Sequence, residues 1–352
     1  MSKTVIESVK HRHCANNNLL SKYRSALMGI SIIMIYVFHF TEDCASKNYN
    51  YSGWIPFFKT YIGSSIVDAF LFLSGLGLFY SIKKNPDILE FYRRRVIKIL
   101  NPYTVIALPS WIIFDIHINK LSMIQVLKDF SFYTFFNKGK TWYWYIGFML
   151  FCYIIYPYLY QIVNNARNAI EGEMYMLVLC SSITLLALIF AIYKPHLFNY
   201  IRIALLRLPF FIFGCFYGRS SFENRNSYYK WLILLVISSI GLSLLPASSQ
   251  IISRYIMGLF NISLCAVIAW CLSYIHSCKL VSCLNWIGIR SLELYLTQVT
   301  IRKFMKYYGY YTCQVKYELI MIILSVIAAI CLHKILQLIN KGLALLSQKT
   351  QC

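Results

Sequence analysis

Charged residues are scarce in this 352-residue chain. Asp, Glu, Lys and Arg make up 13% of it, whereas soluble domains carry about 25%. That density leaves too little polar surface to coat a water-soluble particle of this size, which excludes a soluble globular enzyme. The short motifs of common soluble chemistries are also missing: no GxSxG elbow, Walker loop, HExxH helix or paired CxxC occurs. Serine-hydrolase, P-loop and zinc-peptidase mechanisms therefore have no anchor here, and no metal is expected. The 12 cysteines show no metal-type spacing, and Cys152, Cys180, Cys265 and Cys271 fall inside apolar runs. They read as small buried hydrophobes rather than a disulfide framework. The first twenty residues are basic and polar, so no cleaved signal is expected there.

What is present is apolar sequence: 59% of residues are hydrophobic. Stretches near the roughly 20 residues needed to cross a bilayer recur along the chain. They predict an all-α, polytopic bundle of about ten transmembrane helices, at 25–41, 61–82, 97–116, 142–163, 173–193, 203–219, 229–247, 255–276, 284–304 and 317–343. No linker or repeat marks a second domain, so 1–352 reads as one domain with a short N-terminal segment, 1–23, on the cytoplasmic side.

The net charge of +21 suggests a nucleic-acid partner only superficially. Lys and Arg lie mainly in short loops, where they set topology and meet anionic lipid headgroups. Lys3, Lys10, Arg12, Lys22 and Arg24 precede the first span, and Lys83, Lys84, Arg93, Arg94 and Arg95 follow the second. Arg219, Arg225 and Lys230 join the sixth to the seventh. With these inside, both termini are cytoplasmic in an inner (plasma) membrane protein. Lys138, Lys140, Arg302, Lys303 and Lys306 fall on the outer side and run against that rule.

Several residues have chemistry to offer. His39 closes the first span, and imidazole is suited to taking a proton from a hydroxyl near neutral pH. Glu42 and Asp43 stand within a turn of it, where a carboxylate could orient the ring. The bland alternative is an interfacial histidine bonded to backbone or lipid. Asp68 lies in an apolar run, where an ionisable group costs at least about 2.5 kcal/mol and needs an interior partner. That partner is either His39 or a substrate hydroxyl, or else an interior arginine such as Arg207. Arg94 and Lys98, and Arg95 and Lys98, share helical faces that could hold the phosphates of an anionic donor, or simply anchor the inner surface. Trp144 belongs either to an interfacial aromatic belt or to a sugar-binding face. Arg290 and Glu293, three apart, could satisfy each other.

The order of these features resembles the acyltransferase-3 family of integral membrane acyltransferases. The resemblance is carried by the first helix ending Phe38-His39, then Val67-Asp68-Ala69-Phe70-Leu71-Phe72-Leu73-Ser74-Gly75. Phe91 to Tyr103 follows with Pro102, then Trp144-Tyr145 leading to Tyr156-Pro157. Arg207-Leu-Pro-Phe-Phe with Gly214 and Gly218, and Ser291-Leu-Glu-Leu-Tyr295-Leu, complete it. Three positions depart from the family pattern. Met28 replaces an arginine, with Arg24 one turn earlier. Lys98 replaces the second arginine of Arg-x-x-Arg, and Gln298 stands where a histidine is frequent.

The resemblance implies transfer of an acyl group, most often acetyl from acetyl-CoA, to a sugar hydroxyl of a surface polysaccharide or its lipid-linked precursor. His39 and Asp68 become the catalytic candidates, and Arg94, Arg95 and Lys98 the candidates for holding acetyl-CoA. Arg24, Trp144, Arg207 and Glu293 become candidates for contacting substrate. A transporter of polysaccharide or lipid-linked sugar is the alternative. A purely structural membrane subunit is disfavoured by the cost of Asp68. Arg24 and His39 are fifteen residues apart, roughly 22 Å along a helix. A donor anchored inside must then thread a long arm through the bundle or pass its acyl group by relay, with His39 as general base or acyl-accepting relay. An interior pore beside the first three helices and ending near His39 is expected.

Overall fold

The computed structural model describes residues 19–47, 62–223, 228–244, 250–275, 278–310 and 313–349, with single positions at 53, 55 and 58. The basic residues Lys3, Lys10, Arg12 and Arg225 lie outside the described residues, as does 1–18 of the expected N-terminal segment. Among the described residues the chain is helical, with no strand. Apolar spans force this outcome, because a backbone in lipid must satisfy its own hydrogen bonds.

Among the described residues, eight helical segments are long and apolar enough to cross a membrane. The first is α1, Arg24–Ser46, followed by α2, Ile66–Lys84. Next comes α3, Ile88–Trp111, which runs on as a π-helical segment over Ile112–Ile118. Asp87 caps its start by accepting from the backbone N–H of Leu89 and Glu90. Two short helices, α4 (Met123–Phe130) and α5 (Tyr133–Lys138), lead to α6, Trp144–Asn165. The remainder comprises α7 (Ala169–Tyr193), α8 (Pro195–Leu205), α9 (Leu208–Phe222), α10 (Tyr228–Leu244) and α11 (Gln250–Tyr274). It closes with α12 (Cys278–Ile289), α13 (Ser291–Tyr307) and α14 (Val315–Lys349).

Each of the ten expected spans finds a helix, but two are broken. The stretch expected at 203–219 turns at Leu206–Arg207, where Pro209 cannot supply a backbone donor to the previous turn. The one expected at 284–304 turns at Arg290, between α12 and α13. Both breaks place an arginine at the start of the second piece. Periodicity misses them because neither break interrupts the apolar run.

Two crossings fix the bundle around these breaks. A Cβ on Gly29 would collide with the Leu284 carbonyl, and one on Gly288 with the Ser25 carbonyl, so α1 and α12 meet backbone to backbone. Gly75 and Gly214 do the same for α2 and α9, against Phe211 and Phe72. Small residues allow this approach, which sustains packing where lipid supplies no hydrophobic drive. Helix α13 is tied to its neighbours by Tyr36 donating to the Leu294 carbonyl (3.2 Å) and Thr297 donating to the Ser325 carbonyl (3.0 Å). By contrast, α7 presents Leu177, Val178, Leu185 and Ile192 outward, as a lipid-facing helix should.

Candidate active site

A cavity of about 1530 Å³ runs through the bundle. Arg24 and His39 both line it, although they stand at opposite ends of α1. Arg93, Gln337 and Asn340 border one end, and Glu42, Ser46 and Lys306 the other. Its walls include Val67, Phe70, Ser74, Gly77 and Leu78 of α2 and Arg95, Lys98 and Pro102 of α3. The expected pore beside the first three helices is therefore present, and it reaches His39.

The end bordered by Arg93 is basic. Arg24, Arg95 and Lys98 line the wall and act on one another electrostatically. The Arg24 guanidinium occupies the space above Gly77 that any larger side chain would fill. Arg95 lies over the rings of Phe91 (5.7 Å) and Tyr153 (5.9 Å). Lys98 is exposed, and its exposure is to this cavity. Arg94 also borders the cavity but is partly engaged, its Nε 3.7 Å from the Glu90 carboxylate.

At the opposite end His39 is half-buried, and Gln298 of α13 holds its ring. Nδ1 stands 3.0 Å from Gln298 Oε1 and 2.7 Å from Nε2. When the amide oxygen accepts from Nδ1–H, the lone pair is left on the other ring nitrogen, where a hydroxyl proton can be taken. The neighbouring carboxylates do not orient the ring. Glu42 and Asp43 are bound by Arg302 of α13, at 2.7 and 2.5 Å, and Asp43 also by Lys306. Arg302 reaches the His39 carbonyl as well, at 3.4 Å. The Arg302 clamp thus fixes the end of α1 to α13, and Gln298 aims the ring.

Asp68 takes the arginine alternative. Arg254 of α11 donates to both its oxygens, at 2.7 and 2.6 Å, and Arg207 Nε lies 3.4 Å away. Arg254 also donates to Ser65. A fully buried carboxylate is tolerable when charges and hydrogen bonds compensate it. Arg207 Nη1 donates to the Ile203 carbonyl at 2.6 Å, and its guanidinium faces Trp144 at 5.1 Å. Arg207, Arg254 and Trp144 all line the cavity.

Glu293 also lines it, partnered by His333 of α14 at 3.3 Å. Arg290 instead packs over Trp286 at 4.4 Å, so the expected Arg290–Glu293 exchange gives way to two separate contacts. The helix break at Arg290 lies between them.

Of the basic residues expected on the outer side, Arg302, Lys306, Lys140 and Lys303 have partners. Arg302 and Lys306 neutralise Asp43. Lys140 reaches Asp129 at 2.6 Å and Asp115 at 3.5 Å, and lies over Trp111 at 4.2 Å. Burial alone would raise the Asp129 carboxyl, but hydrogen bonds from Lys140, Thr134 and Gln125 outweigh it and hold it below its usual range. Lys303 sits over Trp142 and Phe114, at 5.9 and 6.0 Å.

Sequence reasoning missed Arg254, Arg302 and His333 as partners and Gln298 as the ring's support. Arg302 carried a usable signal, since a cation in an apolar helix calls for a carboxylate. No metal-binding group of three or more His, Cys, Asp or Glu occurs among the described residues.

Comparison with known proteins agrees with the arrangement. The acyltransferase-3 family model, described as an acyltransferase domain, matches residues 26–334. No curated protein and no solved structure matches the chain. A match covering nearly the whole chain, over helices that enclose one histidine-lined cavity, places this protein in the acyltransferase-3 family of membrane acyltransferases.

Proposed function

We propose that the protein moves an acetyl group from acetyl-CoA on the cytoplasmic side to a sugar hydroxyl of a surface polysaccharide or its lipid-linked precursor. The observation that carries this reading is the cavity joining the basic wall at Arg24, Arg95 and Lys98 to His39. Phosphates of the donor dock on the basic wall, as guanidinium and ammonium groups favour. The pantetheine arm extends along the cavity toward His39. Arg93, Arg94 and Arg95 sit on the inner side by the positive-inside rule, which gives an inner-membrane protein with cytoplasmic termini.

In the reaction, the free ring nitrogen of His39 takes the proton of the acceptor hydroxyl as its oxygen attacks the thioester carbonyl. The tetrahedral intermediate collapses, the carbon–sulfur bond breaks, and the leaving thiolate recovers the proton from the imidazolium. Gln298 keeps the ring in register through both transfers. Asp68 positions Arg207 and Arg254 on the wall rather than exchanging protons.

The same cavity, bordered by residues at both ends of the bundle, also favours a transporter of lipid-linked sugar. Purified protein given acetyl-CoA labelled in the acetyl group separates the two. The acyltransferase reading predicts label in an alkali-labile ester on added saccharide acceptor and its loss in His39→Ala. A transporter forms no ester, and passes saccharide with or without His39.

A further inference from the structure

Two guanidinium groups converge on one carboxylate in the cavity wall. Arg254 binds both oxygens of Asp68, and Arg207 approaches the same group from the break between α8 and α9. Taken together the three side chains carry one net positive charge. They are largely buried, with Asp68 at 0% exposure and Arg207 at 4%. A net charge at that depth is costly, and Arg207 and Arg254 both border the cavity. Arg254 Nε is buried and has no acceptor among the described residues. Trp144 shares this wall, its ring 5.1 Å from the Arg207 guanidinium.

The depth matches that of His39. Asp68 is in the first turn of α2 and His39 in the last third of α1, and these antiparallel neighbours put both near the outer end. The proposed proton transfers make no use of this charge, and the donor's phosphates are met at the opposite end by Arg24, Arg95 and Lys98.

We infer that Arg207 and Arg254, with Trp144 beside them, form a subsite for an anionic group on the acceptor saccharide, a carboxylate or a phosphate. The inference rests on the acyl-transfer reading for the word acceptor, but not for the binding itself. Guanidinium recognises either anion, and the indole offers a face for the sugar ring that bears it. Asp68 holds the two arginines in place and leaves their surplus charge for the ligand.

The test measures binding to full-length protein in nanodiscs without acyl donor, using methyl glucuronide, glucose 1-phosphate and neutral methyl glucoside. The better anionic probe is expected to bind about tenfold or more tighter than the glucoside. Whichever anion wins identifies carboxylate or phosphate as the source. Arg254→Gln should abolish the preference and Arg254→Lys should keep part of it. Equal binding of charged and neutral probes, no binding of either anion, or a folded Arg254→Gln protein with full preference would each overturn the subsite. The wild-type comparison decides the matter even if the variant fails to assemble. Failure of acyl transfer is separately visible: no ester would form with any acceptor, while the binding preference would stand.

Discussion

The ring of His39 and the carboxamide of Gln298 are joined across 259 positions of sequence, with Nδ1 3.0 Å from Oε1. An amide cannot ionise, so Gln298 fixes the ring's direction without adding charge to it. Replacing it by Ala frees the ring to rotate. We expect Gln298→Ala to lower kcat about tenfold, the cost of one lost hydrogen bond, while KM for the donor stays unchanged. Steady-state transfer assays on protein of matched membrane level check this. Unchanged kcat would show that the ring needs no such support.

Asp68 is expected to act through structure. Asp68→Asn leaves Arg207 and Arg254 without their carboxylate, and breaking a buried pair costs about 3–5 kcal/mol. The expected result is a marked fall in thermal stability in detergent, with turnover lost in proportion to folded protein. A stable Asp68→Asn protein with abolished turnover and unchanged binding of the anionic probes would instead make Asp68 a direct participant in proton transfer.

The basic wall should govern donor affinity. Arg95→Gln or Lys98→Gln removes a phosphate contact and should raise KM for acetyl-CoA about tenfold, with little change in kcat. An unchanged KM in both variants would leave these residues as membrane anchors.

Acid should loosen the short helices α4 and α5. Asp129 is held below its usual pKa, so its ion pair with Lys140 stabilises the fold fully above the ordinary carboxylate value of 3.8. That contribution is lost as pH falls through the lowered value. Since Lys140 lies over Trp111, tryptophan fluorescence should report the acid transition, and Asp129→Asn should remove it. An identical acid profile in Asp129→Asn would show that other carboxylates control it.

Backbone contact between α1 and α12 leaves no room at Gly288. Gly288→Ala should destabilise the protein by about 1–3 kcal/mol, as overpacking does, seen as a lower melting temperature. A neutral effect would mean the crossing can open.

Much of this was legible in the sequence. Composition fixes the membrane class because charge density must match the solvent, and the spacing of Arg24 and His39 on one helix dictates a long channel. The partners were not legible. Arg254 meets Asp68 across 186 positions, and Arg302 meets Asp43 across 259, and no local pattern encodes such separations. The breaks at Arg207 and Arg290 were hidden because apolar periodicity continues through them. The adjacency of Glu42 and Asp43 to His39 misled, since residues three and four apart on a helix also face a neighbouring helix, here the one carrying Arg302.

The most direct test of the account is the alkali-labile acetyl ester on surface polysaccharide from cells carrying wild-type protein, His39→Ala or no protein, at equal membrane levels. The account predicts ester with wild-type protein and a fall of about 10²–10⁴-fold in His39→Ala, the range a general base supplies. Ester undiminished in His39→Ala would contradict it.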